Sequence, residues 1–380
     1  MYDVAIVGAG TMGMAAGFYL AKDGKKVALI DKNDPPHKNG AHHGESRLMR
    51  RAHLDSDTYT PLATRAHVLF KELEAFSNEN IYITNGMLCF GPNGSEYVHA
   101  IANAADKNHV LYDFLNGDEI NARWPGFDLP SDYEGYLELD TGILLNEKVV
   151  GTYRRLAEES GADMYMNETV RSIEREEDAV FIDLGDHTIE AKKIIITGGK
   201  MVNEILEHMD MELPITVLRK TFSWFDGNKD LYKQDIFPAW TYVDDEGKIY
   251  YGFPNIEEDV IKVGRHDGGR EIDPATEMEP FGYFNDDAEL GVTKFVETHF
   301  ADSTLNTKSG DVCTYATTPD MDFVIDYTDE SKQIILACGF SGHAFKFSSA
   351  IGEILKMMAN DEVDDIEINM SKFKLSRFNK

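Results

Sequence analysis

A glycine triplet near the start of the chain constrains the fold more than any other feature. Gly8, Gly10 and Gly13 form a G-x-G-x-x-G turn. Residues 1–7 before it read as an apolar strand, residues 12–21 after it as a helix of small residues, and residues 27–30 as a second strand ending at Asp31. That order points to a dinucleotide-binding βαβ unit. Gly8 permits the tight turn, Gly10 lets the backbone approach a pyrophosphate, and Gly13 lets helix and strand pack closely. Free N–H groups at the helix N-terminus suit phosphate charge, and Asp31 suits an adenosine ribose. An acid at position 31 argues against a 2′-phosphate but leaves NAD and FAD open. A glycine turn with no ligand is the plainer alternative.

A chain of 380 residues can bury a large core and divide into two domains. Its formal charge of −30, from 67 acids against 37 Lys and Arg, argues against nucleic-acid binding and against attachment to anionic lipid. The same charge says little about a substrate, because a few local cations can overrule the global field. No segment has membrane-spanning length and no signal-peptide pattern precedes the first strand, so the expected location is cytoplasmic. Cys89, Cys313 and Cys338 form neither a disulfide ladder nor a spaced metal set. Each is first a candidate buried apolar residue. The His42-His43 pair is not a metal motif by itself, and no metal is expected.

Further along, residues 33–51 read as a polar loop carrying His42, His43, Arg47, Arg50 and Arg51. Helical periodicity covers 59–76 and 96–107, and a short helix is expected over 118–124. Residues 135–145 look like a hairpin or paired strands around Asp140-Thr141-Gly142, with Asn146 placed to cap the next helix. Short strands follow over 164–166, 170–175, 179–184 and 193–196, and the last runs into a second glycine turn, Thr197-Gly198-Gly199. A helix is expected over 203–208. Residues 214–264 are β-rich and aromatic; residues 334–337 then lead through Gly339-Phe340-Ser341-Gly342 to a helix over 347–358. This last strand, loop and helix can complete the nucleotide domain from far along the chain.

Several well-separated segments resemble the monomeric sarcosine oxidase and N-methyltryptophan oxidase family, within the wider glycine and D-amino acid oxidase group. They are GAGTMGMAAG from Gly8, DPPHKNGAHHGESRLMRRAH from Asp34, GDEINARWPG from Gly117 and IYYGFP from Ile249. IKVGRH from Ile261, DVCTYATTPD from Asp311 and GFSGHAFKFS from Gly339 complete the set, in the family's order and across nearly the whole chain. The resemblance implies FAD rather than NAD. It also implies an α/β, Rossmann-like FAD-binding domain joined to a second, largely antiparallel β-sheet substrate domain. The implied division gives residues 1–85, 145–215 and 318–380 to FAD, and 86–144 and 216–317 to substrate. A monomer is implied too.

The same resemblance assigns roles. Cys313, which sequence physics alone treats as a core thiol, becomes the covalent FAD attachment, with Gly339 and Gly342 beside the cofactor. Arg47 and His43 match family residues near the flavin. Arg50 and Lys346 match groups that hold a substrate carboxylate, and two cations suit that charge. Lys262 matches the lysine that activates oxygen, where a fixed ammonium stabilises developing negative charge. His266 matches a substrate-side histidine, and Tyr251 and Tyr315 match aromatic pocket positions. Tyr242 stands where sarcosine oxidases commonly have methionine, so it is expected to reshape a pocket wall. Arg265 replaces a family tyrosine and is expected to add charge near a pocket loop.

The implied reaction is oxidative N-demethylation of a small secondary amino acid, most simply sarcosine, with oxygen and water giving the amino acid, formaldehyde and hydrogen peroxide. Competing readings are oxidation of N-methyltryptophan or another bulky amino acid, oxidation of a fructosyl amino acid or a primary amine, an NAD-dependent dehydrogenase, and a flavin-binding module without catalysis.

Overall fold

The computed structural model describes residues 1–256, 260–286 and 292–378. Alternation of apolar side chains builds the first large sheet. Its centre is five parallel strands, in the order Ile334–Cys338, Thr188–Ile196, Tyr2–Val7, Val27–Asp31 and Asp163–Met166. Val4, Ile6, Ile195, Ile335 and Ala337 point to one face, where they pack with helices Thr11–Lys22, Tyr59–Ser77, Asn146–Glu159 and Ser348–Ala359. Ala5, Val7, Ile194, Ile196 and Leu336 point to the other, with Val202 and Leu206 of helix Val202–Glu207. Both faces are covered, as parallel strands require. Strands Ser172–Arg175, Val180–Asp183 and Val324–Tyr327 add antiparallel edges.

Among the described residues the second large sheet has nine strands and is antiparallel except where Ala239–Val243 runs parallel to Met87–Pro92. One of its faces is an aromatic core of Phe90, Phe225, Trp240, Tyr242 and Tyr250, closed by Phe295 from helix Val292–His299. The opposite face carries Phe222, Thr241, Tyr251, Phe253, Lys262 and Tyr315 towards a cavity. The expected pair of an FAD-type Rossmann sheet and a mostly antiparallel sheet is therefore what the chain forms.

Three local expectations change. Ser46–Met49, inside the stretch read as a loop, is a strand. It pairs with Gly142–Leu145, which also pairs with Tyr82–Ile83, making a small third sheet. Residues 135–145 accordingly form no hairpin. Tyr133–Glu138 joins the large antiparallel sheet while Gly142–Leu145 leaves it, because the Asp140-Thr141-Gly142 turn redirects the chain. Asn146 is the first residue of its helix rather than its cap, and its buried side-chain amide donates to the His42 carbonyl. Tertiary pairing overrode local pattern in each case.

Helices Thr11–Lys22 and Ser348–Ala359 touch at backbone distance. A Cβ on Gly352 would lie 2.6 Å from Ala15 Cβ and 2.8 Å from the Ala15 carbonyl carbon. Because backbone cannot yield as a side chain can, Gly352→Leu is expected to cost about 1–3 kcal/mol by urea unfolding. An unchanged midpoint at unchanged slope would show that these helices separate freely.

Candidate active site

A cavity of about 850 Å³ runs from Asp31 and the glycine turn to Cys313, Lys262 and Lys346, taking its walls from both large sheets and from the 37–54 segment. At the nucleotide end, Gly8 has φ +99° and an added Cβ would lie 2.5 Å from the Thr197 carbonyl oxygen. Gly13 packs closer still, its would-be Cβ 2.0 Å from the Gly8 carbonyl oxygen. Gly10 differs: the nearest atom to its would-be Cβ is His42 Nδ1, at 3.8 Å. Nothing in the protein requires glycine there, so the missing side chain keeps cavity space clear. Helix Thr11–Lys22 begins at this point with no side chain capping its first turn, leaving those amides for an anion. Asp31 accepts bonds from the Ala9 and Asn33 amides, each at 2.8 Å. Burial raises its pKa, but His37 and these two amides outweigh that and hold it below the usual carboxylate value. The uncapped helix, the clear space at Gly10 and the ionised acid together fit the phosphates and ribose of a dinucleotide.

The far end gathers cations. Lys262, only 3% exposed, donates to the carbonyls of Gly44 and Ser46 and lies 4.5 Å from the Phe222 ring centroid. Burial first, then the Arg47 charge, pull its pKa down to about 7. Arg47 is held by its own strand and loop, donating to the carbonyls of Ser46, Ala41 and His43. Arg50 donates to the Tyr97 hydroxyl at 2.8 Å. Lys346 donates to the His343 carbonyl at 2.6 Å, and burial with the nearby Arg50 charge drives its pKa well down. Cys313 is buried in the strand opposite Lys220; burial raises its thiol pKa while Arg47, Lys262 and Lys220 pull it back.

His266 and Tyr315 meet at 3.4 Å between the histidine Nδ1 and the phenol oxygen. Burial and the charges of Lys220, Lys346 and Arg50 bring His266 to about 4, so it is neutral. Tyr251 also faces the cavity, and burial raises its phenol pKa. Gly342, at φ +75°, lets the Tyr315 ring lie over it: a Cβ there would be 2.3 Å from the ring. Gly339, at φ +61°, turns the chain from its strand along the same wall.

The cavity thus brings together Gly8, Gly10, Asp31, Arg47, Arg50, Tyr251, Lys262, His266, Cys313, Tyr315, Gly339, Gly342 and Lys346. Gly13 supports it from behind. Three positions singled out in the sequence do not line the cavity. Tyr242 points into the aromatic core, stacked 6.1 Å from Tyr133, because strand alternation gives the cavity its neighbour Thr241 instead. Arg265 likewise turns away from Lys262 and Gly264 and binds Asp267 at 2.8 Å. His43 sits behind the wall, its Nε2 2.7 Å from Asp311 Oδ2, and reaches the site through its carbonyl on Arg47. Sequence reasoning missed His53, Tyr97 and Thr241, which line the cavity. It also missed buried Glu138, which accepts from the Arg51 and Ala52 amides beside Arg50. The His53 imidazole closes a motif segment that had been singled out, whereas no sequence signal marks the other three.

An ionised nucleotide end, uncapped helix amides and a buried cationic end, held between a parallel and an antiparallel sheet, define a dinucleotide-dependent oxidoreductase. The chain belongs to the FAD dependent oxidoreductase (DAO) family, whose model matches residues 3–358. It is 40% identical over 378 residues to the monomeric sarcosine oxidase of Arthrobacter sp. (strain TE1826), covering 99% of this chain and 96% of that one. It is 35% identical over 377 residues to the N-methyl-L-tryptophan oxidase of Yersinia pestis (strain Pestoides F), covering 99% of each. The crystal structure of glycine oxidase from Bacillus cereus ATCC 14579 shares the fold, with a TM-score of 0.78, 18% identity and coverage of 96% of this chain and 98% of that one. Among the described residues no helix is long and apolar enough to cross a membrane, and no cluster of side chains could hold a metal ion.

The buried ammonium sets a pH dependence. Lys262 titrates near 7 in the fold against 10.5 when exposed, so between those values the unfolded chain holds a proton that the folded chain has lost. Native stability therefore rises with pH across that window. Lys262→Met removes this dependence. Its stability advantage over the native, flavin-free chain should shrink by roughly 4 kcal/mol from pH 7 to 10 in urea titrations. A difference independent of pH would place the proton on another group.

Proposed function

We propose that this chain catalyses FAD-dependent oxidative N-demethylation of a small N-methyl amino acid, with sarcosine the simplest substrate, and that it acts as a monomer. The observation that carries the reading is the convergence of Arg50 and Lys346 at one end of a cavity whose other end suits a dinucleotide. Two cations in a water-poor pocket favour a carboxylate strongly. Docking that carboxylate would offset the repulsion between them and restore the Lys346 ammonium.

The same charges act on the substrate amine. A secondary ammonium beside Arg47, Arg50 and Lys346 would be disfavoured as Lys346 itself is, so the amine would shed its proton and expose the nitrogen lone pair. Neutral His266 is suited to accept an N–H bond from it, with Tyr315 holding the imidazole in place. Tyr251 and Tyr315 would shield the reacting carbon from bulk water. FAD bound here would accept two electrons from the N-methyl C–H bond and pass them to oxygen, giving hydrogen peroxide. Hydrolysis of the imine product would then release formaldehyde.

Gly8, Gly10, Gly13 and Asp31 would hold the nucleotide half of FAD, with Gly339 and Gly342 shaping the ring pocket. Cys313 would attach the ring by a thioether, favoured by the three cations that counter the effect of burial on its thiol. Lys262 would present positive charge where oxygen is reduced, and Arg47 would support the electron-rich ring. His43 would position Arg47 and, through Asp311, the strand leading to Cys313. The 40% identity to a monomeric sarcosine oxidase supports a monomer.

An aerobic substrate panel tests the reaction, with peroxide and formaldehyde measured together. Sarcosine and N-methylalanine should give both in equal amounts. Peroxide without formaldehyde would indicate a deaminating oxidase, and turnover confined to N-methyltryptophan or fructosyl amino acids would indicate a bulkier substrate. Separately, flavin should stay with the native polypeptide after acid denaturation and leave the Cys313→Ala variant. Retention of yellow colour by that variant would reject the attachment.

A further inference from the structure

Lys220 is a second buried lysine of the antiparallel sheet, and beyond its pull on the Cys313 thiol the reaction above gives it no part. It is 3% exposed and does not line the cavity. On strand Thr216–Asp226 it pairs with Cys313, and alternation puts it on the same side of the sheet as Phe222, towards the cavity. Its ammonium donates to the Asp267 and Gly268 carbonyls, each at 2.7 Å, and lies 5.4 Å from the Tyr315 ring centroid. Two successive carbonyls converge on one nitrogen because Gly268 and Gly269 take φ +68° and +125°. Gly269 also makes room for the lysine stem, since a Cβ there would lie 2.9 Å from Lys220 Cδ.

Those carbonyls belong to the turn that begins at His266. On its other side the turn is tied to strand Ile249–Phe253. The His266 amide donates to the Ile249 carbonyl at 2.7 Å, and Asp267 accepts from the Ile249 amide at 2.8 Å. Lys220 supplies the opposite tie, from a different strand. A buried ammonium needs such acceptors, so lysine and turn hold one another in place.

Charge adds to the tether. Titratable and charged groups face His266 from every side: Lys220 from this strand, Tyr315 from strand Asn306–Thr317, His343 and Lys346 from the 343–346 turn, Arg50, and Asp267 from its own turn. Burial is the first reason the imidazole stays neutral, and Lys220 is foremost among the charges that oppose its proton; Asp267 acts the other way.

We propose that Lys220 is a positioning residue for His266: it ties down the turn that carries the imidazole and sets a like charge beside the ring, so that the ring meets the substrate amine as an acceptor. This rests on the role given to His266 above and adds the group that enforces it.

The test follows His266 by nitrogen NMR of histidine-labelled holoenzyme, with the signal identified by its loss in His266→Asn. In the native protein the ring should titrate near 4. Lys220→Met removes tether and charge, Lys220→Gln keeps an amide donor without charge, and Lys220→Arg keeps both. The midpoint should rise by about one pH unit in Met and Gln, a tenfold gain in proton affinity, and return towards the native value in Arg. Exchange of the His266 amide should be about tenfold faster in Met than in the native protein, and slower in Gln than in Met. Unmoved midpoints in the two neutral variants overturn the proposal, as does a midpoint that moves as far in Arg, or native-like exchange in Met. Should Met fail to fold, the midpoints of Gln and Arg decide alone. The midpoint needs no turnover, so absence of formaldehyde from sarcosine rejects demethylation and leaves the tie between Lys220 and His266 to be judged by NMR.

Discussion

The lysine ammonium buried at the junction of the two sheets is the interaction on which the site depends. Lys262 comes from the antiparallel sheet, while the carbonyls that accept its protons belong to Gly44 and Ser46, at the start of the small third sheet. The rings of Phe222 and Phe253 flank it, at 4.5 and 5.2 Å. Burying a cation is costly without such acceptors and aromatic faces, so the geometry of residues 44–46 is tightly specified. Gly44 meets that demand at φ +96°, where a Cβ would crowd Phe222 at 3.0 Å and Lys262 Nζ at 3.4 Å. Arg47 follows directly, and its guanidinium is aimed by carbonyls of the same loop. One charge thereby fixes the place of another.

A second tie runs parallel to the first. His43 reaches Asp311 across 268 positions of sequence, at 2.7 Å, and Asp311 lies two residues before Cys313. The 42–50 segment is therefore clamped to two strands of the antiparallel sheet, Val260–Arg265 and Asn306–Thr317, which lie on either side of Thr216–Asp226. This explains why a glycine-containing, charge-rich stretch that reads locally as a loop contains a strand. Its order comes from bonds to distant elements, not from its own hydrophobic period.

The parts of the molecule that were readable in sequence are those written in local pattern. The nucleotide turn needs glycines at fixed spacing, and helices such as Glu96–Lys107 carry their own periodicity and an Ser95 cap. Resemblance added the scattered site residues, and most of them face one cavity. Failures share one cause. Tyr242 and Thr241 are adjacent, and only sheet register decides which of them meets the cavity; Arg265 and Lys262 differ for the same reason. Glu138 and Tyr97 hold the Arg50 region from elements far away in sequence, and nothing local distinguishes them from ordinary strand and helix residues.

Global charge and local charge have opposite signs here, and the contrast bears on energetics. A chain of formal charge −30 concentrates Arg47, Arg50, Lys262 and Lys346 around one buried space. Lys262 and Lys346 are both pulled below the ordinary lysine value, by burial and by a neighbouring arginine. The protein thus maintains repulsion that only an anion or an electron-rich group can relieve. Ligands of that kind bind the folded chain and not the unfolded one, so occupancy stabilises the fold by mass action. In the proposed reaction the same unrelieved repulsion would disfavour a second cation, so that an incoming amino acid would be held through its carboxylate while its ammonium proton became labile. Recognition and activation are in this sense one electrostatic property, imposed by where two sheets meet.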